Sequence, residues 1–199
     1  MQIGMCKKKL SVEMMKSKIC LVVAIEKNFG IGFRQQLPWS HLTEEMKYFK
    51  KITIGSGNNA VIMGRKTWDS IEVKPLCERV NVVLTGDCEN FLAKYKKMNV
   101  LCFNNLNSCF ESLQKLNLDE IHFIGGGQIF TKLIKGHVSK IDRIYLTRIT
   151  SSFESDTFFP QISDDFVLDD KYTHFYKHTD KKHGISWTNE LWNNVKKTK

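Results

Sequence analysis

The sequence lacks any continuous apolar run near the ~20 residues that a helix needs to span a bilayer. Its basic start, residues 1–17, has no apolar core and no convincing cleavage site, so we expect a mobile extension rather than a secretory signal. Repeats and Pro- or Ser-rich linkers are also missing. We therefore expect one domain over residues 18–195, followed by a short basic tail over residues 196–199.

The six cysteines form neither a C-x-x-C pair nor a zinc-finger spacing with histidine. The sequence has no N-x-S/T glycosylation site either, and together these absences favour a reducing, cytoplasmic environment. Cys20 and Cys102 lie in apolar runs, which indicates small core residues. The six histidines are scattered, so the sequence predicts no metal site.

The net charge of +9 does not indicate a nucleic-acid-binding face. Residues 1–18 carry +4 and residues 171–199 carry +5, so the central part of the chain is neutral overall. Recognition of nucleic acid would need basic residues clustered on the folded body. Lysine-rich ends are more typical of solubilising segments, and we therefore expect no nucleic-acid partner and, without a spanning run, no membrane partner.

Short apolar runs alternate with amphipathic segments along the chain. The predicted strands are 19–25, 60–64, 79–85, 99–103, 120–127 and 140–150, and the predicted helices follow at about 40–52, 65–71, 107–116 and 128–134. Two late segments, 171–179 and 185–192, flank the turn-like DKKHG and predict a hairpin. This order predicts a single-domain α/β fold with a mostly parallel central sheet, helices on both faces and an antiparallel C-terminal hairpin.

One carboxylate lies on the apolar stripe of the first predicted helix, in LPWSHLTEEMKYFKKI. Ser40 is the predicted N-cap, and Leu42, Met46 and Phe49 recur at helical spacing. Glu45 shares their face, and a buried unpaired carboxylate costs several kcal/mol or stays protonated. Two interpretations remain open from the helix alone: Glu45 reaches solvent at the edge of the stripe, or it is a functional acid that awaits a polar ligand.

Two predicted strand ends have the composition of phosphate-binding turns. The first is GRKT at 64–67, where a strand stops at a glycine and a helix starts with cationic side chains and a hydroxyl. The second is GGGQ at 125–128, where three glycines allow close approach of a ligand to the backbone. Each alone also fits an ordinary helix start or a flexible turn. Two in one sheet favour a diphosphate ligand such as a dinucleotide.

Five segments in order resemble the dihydrofolate reductase family: VVAIEKNFGIGFRQQLPW, VIMGRKTWDSI, KPLCERVNVVLT, FIGGGQIF and LTRITSSFESDTFFP. The resemblance covers about residues 18–195 and implies NADPH-dependent reduction of 7,8-dihydrofolate, in tetrahydrofolate biosynthesis and one-carbon metabolism. It also implies antifolate binding and a monomer, and because the sequence ends shortly after the matched region we expect no attached thymidylate synthase domain. A pyrimidine reductase of riboflavin synthesis, which shares the fold, and a non-catalytic binder of NADPH or RNA remain as rival interpretations.

The resemblance also implies roles for individual residues. Glu45 would bind the pterin, with Trp39 and Thr147 as its catalytic partners, and Arg79 would bind the glutamyl α-carboxylate. The substrate-binding residues implied are Val22, Val23, Ala24, Glu45, Met46, Phe49, Ile71, Leu76, Arg79, Ile124 and Thr147. The cofactor-binding residues implied are Ala24, Ile31, Arg65, Lys66, Thr67, Leu84, Thr85, Gly125, Gly126, Gly127, Gln128 and Ile129.

Two further features follow from the same resemblance. A cis peptide is expected at Gly125-Gly126, and the loop over residues 26–38 is expected to form a lid on the nicotinamide. Gly86 stands where the family often has a basic residue near the 2′-phosphate. A preference for NADPH over NADH would therefore depend more on Arg65.

Overall fold

The computed structural model describes residues 17–175 and 177–197. Its strands are β1 Lys18–Ile25, β2 Gly30–Gly32, β3 Ala60–Gly64, β4 Val80–Leu84, β5 Leu101–Phe103, β6 Glu120–Gly125, β7 Arg143–Ile149, β8 Thr157–Phe158, β9 Phe166–Leu168, β10 Lys177–Asp180 and β11 Ile185–Asn194. Its helices are α1 Thr43–Ile54, α2 Arg65–Ser70, α3 Cys88–Lys94, α4 Leu106–Leu113, α5 Gly127–Gly136 and α6 Asp170–Phe175, with a 3₁₀ turn at Val138–Lys140.

The main sheet has the order β10-β11-β7-β1-β6-β3-β4-β5, and β9 pairs with β11. The six strands from β7 to β5 are parallel to their neighbours, whereas β11 is antiparallel to β7 and β10. The predicted α/β architecture with an antiparallel C-terminal hairpin is therefore confirmed. The sheet brings the carboxyl ends of β1, β3, β4 and β6 to one edge, where ligands bind in such folds.

Strand β1 is buried along nearly its whole length because both faces of the sheet are covered. Leu21, Val23 and Ile25 pack in a core that contains the buried residues of α4 and α5. Cys20 and Val22 face the other way and pack with side chains that include Phe49 of α1. Alternate residues of β1 therefore serve two different layers, and only the second layer contains Glu45.

Helix α1 begins later than predicted. Its first residue is Thr43 and its N-cap is Leu42, not Ser40. Leu42 is buried with Trp39 and Ile149, so tertiary packing, rather than side-chain capping, sets where this helix starts.

The C-terminal part differs from the prediction in one element. The predicted strand over residues 171–179 is divided, because α6 extends to Phe175 and β10 begins only at Lys177. The predicted turn between the two hairpin strands is confirmed, and β10 pairs with β11 from Lys177 to Asp180.

The interpretation of Cys102 as a simple core residue is wrong. Cys102 is only partly buried and forms a disulfide with Cys88, with the two Cα atoms 5.6 Å apart. Cys88 opens helix α3, which the sequence did not predict and whose N-cap is Asp87. Cys20 is fully buried and free, as expected.

The predicted extension over residues 1–17 lies outside the described residues except for Ser17, whose hydroxyl donates to the carbonyl of Leu118. In the tail, Lys196 pairs with Asp165 and Lys197 pairs with Asp142. Within residues 17–175 and 177–197, no helix has the length and apolar character to cross a membrane.

Candidate active site

Glu45 lies in the first turn of α1 and is 4% exposed. Of the two interpretations that the helical spacing left open, burial is therefore the one observed, and a solvent-reaching side chain is wrong. Its Oε1 accepts a hydrogen bond from the Thr147 hydroxyl at 3.2 Å, whereas Oε2 has no hydrogen-bond partner among the described residues. Burial raises the pKa of Glu45 to about 7, although the hydrogen bond from Thr147 opposes the shift.

Asn189 extends this polar group, and no sequence motif indicated it. Its side-chain oxygen lies 3.3 Å from the hydroxyl oxygen of Thr147. One hydroxyl hydrogen cannot serve both Glu45 and Asn189, and the Asn189 Nδ2 has no partner within the described chain. With the amide turned so that Nδ2 faces Thr147, Nδ2 donates to the hydroxyl while Thr147 donates to Glu45. Asn189 thus fixes the hydroxyl that orients the acid.

The apolar walls around Glu45 come from α1 and from the second face of the sheet. Met46 and Phe49 are half-buried, so they leave apolar surface on the same side of α1 as the acid. Val22 and Ile124 lie on the facing strands, and Ile71 and Leu76 pack near Ile124. Val23 is different: its side chain lies in the core on the opposite face, so only its backbone is available to this cleft.

Arg79 is positioned at the far end of this apolar surface. Its Nη1 donates to the Thr53 hydroxyl at 2.6 Å, and its Nε donates to the carbonyl of Cys77 at 2.8 Å. Partial burial lowers the pKa of Arg79 from its usual value, and the group remains cationic. The two bonds hold the guanidinium in one orientation while leaving donors for an anionic ligand.

Trp39 is buried beside Ala24, Leu42 and Phe153, and its ring meets that of Phe153 edge to face. Ala24 is aligned with Thr147 across β1 and β7. The indole and the acid therefore belong to neighbouring packing groups at the carboxyl end of β1. The structure brings together the three residues predicted as catalytic, Glu45, Trp39 and Thr147, around this strand end.

The two predicted phosphate-binding turns meet in space. Gly64 is the N-cap of α2 and Gly126 is the N-cap of α5. A Cβ atom at Gly64 would lie 3.9 Å from the amide nitrogen of Gly126, and one at Gly126 would lie 3.3 Å from the hydroxyl of Thr67. The expected cis peptide at Gly125-Gly126 is confirmed. Two helix N-termini thus present backbone N–H groups to one place, which is the arrangement that binds a diphosphate.

The glycine at position 127 admits no side chain. A Cβ atom there would lie 2.9 Å from the Thr157 methyl group and 3.2 Å from the carbonyl of Phe158. A surface cavity of about 500 Å³ adjoins this point, and its lining includes Gln128, Lys132 and Asp156. The start of α5 is therefore both closely packed on its inner side and open to a ligand on its outer side.

The remaining predicted cofactor residues lie around these turns. Arg65 and Lys66 are exposed, and Arg65 forms a surface ion pair with Asp69 at 2.8 Å. Such a pair costs little to break, so Arg65 is available to an anion. Leu84 and Thr85 are half-buried at the end of β4, where the Thr85 amide donates to Phe103. The predicted list further includes Ile31, which is partly buried in the lid, and Ile129, which is buried in α5.

The loop over residues 26–38, the predicted lid, is anchored by Glu26, a residue that the sequence analysis missed. Glu26 is fully buried, and one carboxyl oxygen accepts from the amides of Asn28 and Gly30 at 2.8 and 2.9 Å. The other oxygen accepts from the amide of Phe153 at 3.3 Å. Strand β2 of the lid also pairs with β8. Glu26 therefore ties the lid to the loop that follows β7.

Replacing Glu26 with Gln is expected to lower the melting temperature by about 5 °C. Either orientation of the new amide turns an NH₂ group toward a backbone N–H, and an unsatisfied buried donor costs about 1–3 kcal/mol, or about 2–4 °C per kcal/mol for a protein of this size. Thermal unfolding followed by circular dichroism measures the change. The control is Glu154→Gln in the same loop, where the side chain is exposed. Equal melting temperatures for the two variants would contradict the anchoring role.

Comparison with known proteins agrees with this geometry. A family model described as "Dihydrofolate reductase" matches residues 18–193. The chain is 33% identical to a dihydrofolate reductase of Aedes albopictus over 90% of this chain and 99% of that protein. It is also 33% identical to the Rattus norvegicus dihydrofolate reductase over 86% of this chain and 94% of that protein. A bifunctional dihydrofolate reductase-thymidylate synthase of Glycine max is 39% identical over 74% of this chain, which spans 28% of that longer protein.

Proposed function

The chain belongs to the dihydrofolate reductase family and catalyses the NADPH-dependent reduction of 7,8-dihydrofolate to 5,6,7,8-tetrahydrofolate, and we propose that Glu45 binds the pterin and organises its protonation. The observation that carries the proposal is the buried Oε2 of Glu45, which has no hydrogen-bond partner in the described part of the chain. A pterin offers two adjacent donors, its ring N3–H and its 2-amino group, which match the two oxygens of a carboxylate.

NADPH supplies the hydride that C6 of the pterin accepts. Residues of this chain have three tasks around that step: they bind, they orient and they deliver a proton to N5. A carboxyl group that binds the ring N3–H and the 2-amino group would lie on the pyrimidine ring, away from N5, so we propose that the proton travels through water held near Glu45 and Trp39. Thr147 keeps the carboxyl group in place, and the substrate-binding positions named above, from Val22 to Ile124, enclose the ring.

The cofactor site is proposed from the converging turns at Gly64 and Gly126. Their backbone N–H groups, with Thr67 and the two cations Arg65 and Lys66, suit a dinucleotide diphosphate. The direct test is oxidation of NADPH, followed by absorbance, in the presence of dihydrofolate. Loss of absorbance should depend on both substrates. Folded protein that shows no oxidation above background would remove the reductase assignment.

The presence of both Glu45 and Arg79 distinguishes this chain from the rival pyrimidine reductase. A diaminopyrimidine substrate has no glutamyl carboxylate, whereas Arg79 is held by Thr53 and Cys77 with donors free for one. The same assay with a ribosylated aminopyrimidine in place of dihydrofolate should give no oxidation of NADPH. The other rival is a non-catalytic binder, for example of RNA through the basic ends. Deletion of residues 1–17 should lower any RNA binding but leave turnover intact.

The remaining assignments are also proposals. We propose that residues 18–195 form the catalytic domain, that the protein is a monomer, that antifolates compete for the Glu45 site, and that the protein is cytoplasmic. Three of the five described cysteines are free, which supports a reducing compartment, whereas the Cys88–Cys102 disulfide argues against it. Mass spectrometry after alkylation of the protein inside intact cells decides whether the compartment is reducing. Alkylation of Cys88 would show that the Cys88–Cys102 pair is reduced there.

A further inference from the structure

A second polar cluster lies in the second face of the sheet, at the opposite end from the proposed active site. Cys20 of β1 is aligned with His122 of β6, and Glu120 lies two residues before His122 on the same strand face. Cys20 is four residues before Ala24, which places it about 13 Å away along the strand. The cluster is therefore at the amino ends of the strands, whereas the substrate and cofactor positions are at the carboxyl ends.

We propose that Cys20, Glu120 and His122 form a binding site for a zinc-class divalent metal ion. One ligand atom from each residue can be chosen so that all three lie within 4.8 Å of one another. Zinc bonds of about 2.0–2.3 Å to sulfur, nitrogen and oxygen place tetrahedral ligands about 3.5 Å apart. Side-chain adjustment of about 1 Å therefore suffices to close the site, and the fourth position is left to water.

His122 supplies the observation that an ordinary core packing does not explain. The residue is fully buried, and its Nε2 lies 3.0 Å from Oε2 of Glu120. Its Nδ1 is buried and has no hydrogen-bond partner in the described segments. A neutral imidazole has one N–H and one lone pair, so one function of the ring is unused whichever tautomer is present. A metal ion bound together with Glu120 would take the lone pair of Nε2, the nitrogen that faces this carboxylate, and Nδ1 would then carry the N–H of the ring.

The chemistry of the three side chains selects the kind of ion. A thiolate and an imidazole suit Zn²⁺ and its transition-metal neighbours, whereas Mg²⁺ and Ca²⁺ prefer oxygen ligands. Glu120 also gives the ion a path to solvent, because its side chain is 22% exposed while the side chain of His122 is completely covered. Three protein ligands of mixed type with one open position is a recurrent zinc arrangement.

The charges around the cluster are mixed. Lys18, Arg143 and Asp142 are the other charged groups near Cys20, and Arg143 also contacts the Tyr145 hydroxyl at 3.5 Å. Burial raises the pKa of Cys20 well above its usual value, so the metal-free site holds a thiol. Binding would then release that proton as the metal–sulfur bond forms, and affinity should increase with pH.

The test uses full-length protein in which Cys6 and Cys77 are replaced by Ser, because Cys77 is exposed and free to bind metal adventitiously. Zn²⁺ is titrated in competition with a chromophoric chelator, and Co²⁺ is added separately as a spectroscopic probe. We expect one equivalent of Zn²⁺, a thiolate-to-cobalt charge-transfer band, and a higher melting temperature with Zn²⁺ because only the folded state holds the site. Turnover of dihydrofolate should be unchanged.

Three variants decide the outcome. Cys20→Ala should abolish the cobalt band, and Glu120→Gln, at a partly exposed position that leaves the fold intact, should weaken Zn²⁺ at least 10-fold. The matched control is Cys109→Ala, which removes another buried free cysteine that packs in the other core. This control should bind as tightly as the background protein. Absence of stoichiometric binding in the background protein would overturn the proposal. Binding of Zn²⁺ by Cys20→Ala and Glu120→Gln as tightly as by the background protein would also overturn it.

Discussion

Replacing Glu45 with Gln is expected to lower turnover of dihydrofolate near neutral pH by about 10²–10⁴-fold, the usual contribution of proton-transfer catalysis. Gln keeps the size and one acceptor oxygen but cannot carry a proton to the water near N5. It also presents an NH₂ group toward the donor groups of the pterin. The measurement is kcat with saturating NADPH, together with NADPH affinity from fluorescence, which should not change because the cofactor turns are made by other elements.

The matched control for Glu45 is its neighbour. Glu44 occupies the same helical turn but is exposed and pairs with Lys47 at 2.7 Å. Glu44→Gln removes the same charge from α1 and should leave kcat within about twofold, since surface ion pairs contribute little. A comparable loss of turnover in both variants would show that the charge of the helix, rather than the buried acid, is responsible.

The pH dependence of folding gives a second readout for the same residue. The folded-state pKa of Glu45 is about 7, above the usual 4.5, because burial disfavours the charged form. Between these two values the folded protein binds more protons than the unfolded chain, so stability falls as pH rises through this window. The full cost, on the order of 3 kcal/mol, is present above pH 7. The melting temperature of Glu45→Gln minus that of the wild type should therefore be several degrees larger at pH 8 than at pH 5.

The sequence was most informative where the signal is local. The spacing to Leu42 and Phe49 placed Glu45 on the apolar face of one helix, although it left open whether the side chain reaches solvent, and the cis peptide follows from the resemblance carried by the Gly-Gly step. The start of α1 was predicted wrongly, because the contacts of Leu42 with distant residues outweighed the capping preference of Ser40.

The sequence was least informative where residues far apart in the chain meet. Asn189 reaches Thr147 from 42 residues away, and Glu26 reaches Phe153 from 127 residues away. The Cys20–His122 alignment joins two strands whose register no spacing rule reveals. In each case the polar partner of a buried group comes from a distant part of the chain, and a scan for short motifs cannot detect it. This is why the sequence predicted no metal site although the sheet assembles a candidate.

The second large effect is expected from replacing Arg79, and it should fall on substrate binding rather than on the chemical step. Replacing it with Leu removes the charged donors for the glutamyl α-carboxylate, a loss of about 2–5 kcal/mol for a desolvated charge pair. KM for dihydrofolate should therefore rise about 10²-fold or more, with kcat little changed, because the interaction is the same in the ground state and the transition state. Steady-state kinetics at saturating NADPH measures both constants.

Two comparisons show whether the carboxylate is what Arg79 recognises. Dihydropteroate has the pterin and the aminobenzoyl ring but no glutamate, so its KM should be the same for the wild type and for Arg79→Leu. Thr53→Val removes the 2.6 Å bond that orients the guanidinium while leaving the charge, and it should raise KM for dihydrofolate by a smaller factor. If Arg79→Leu raised KM for dihydropteroate equally, Arg79 would instead be acting on the shape of the cleft, since the only difference between the two substrates is the tail that it is proposed to bind.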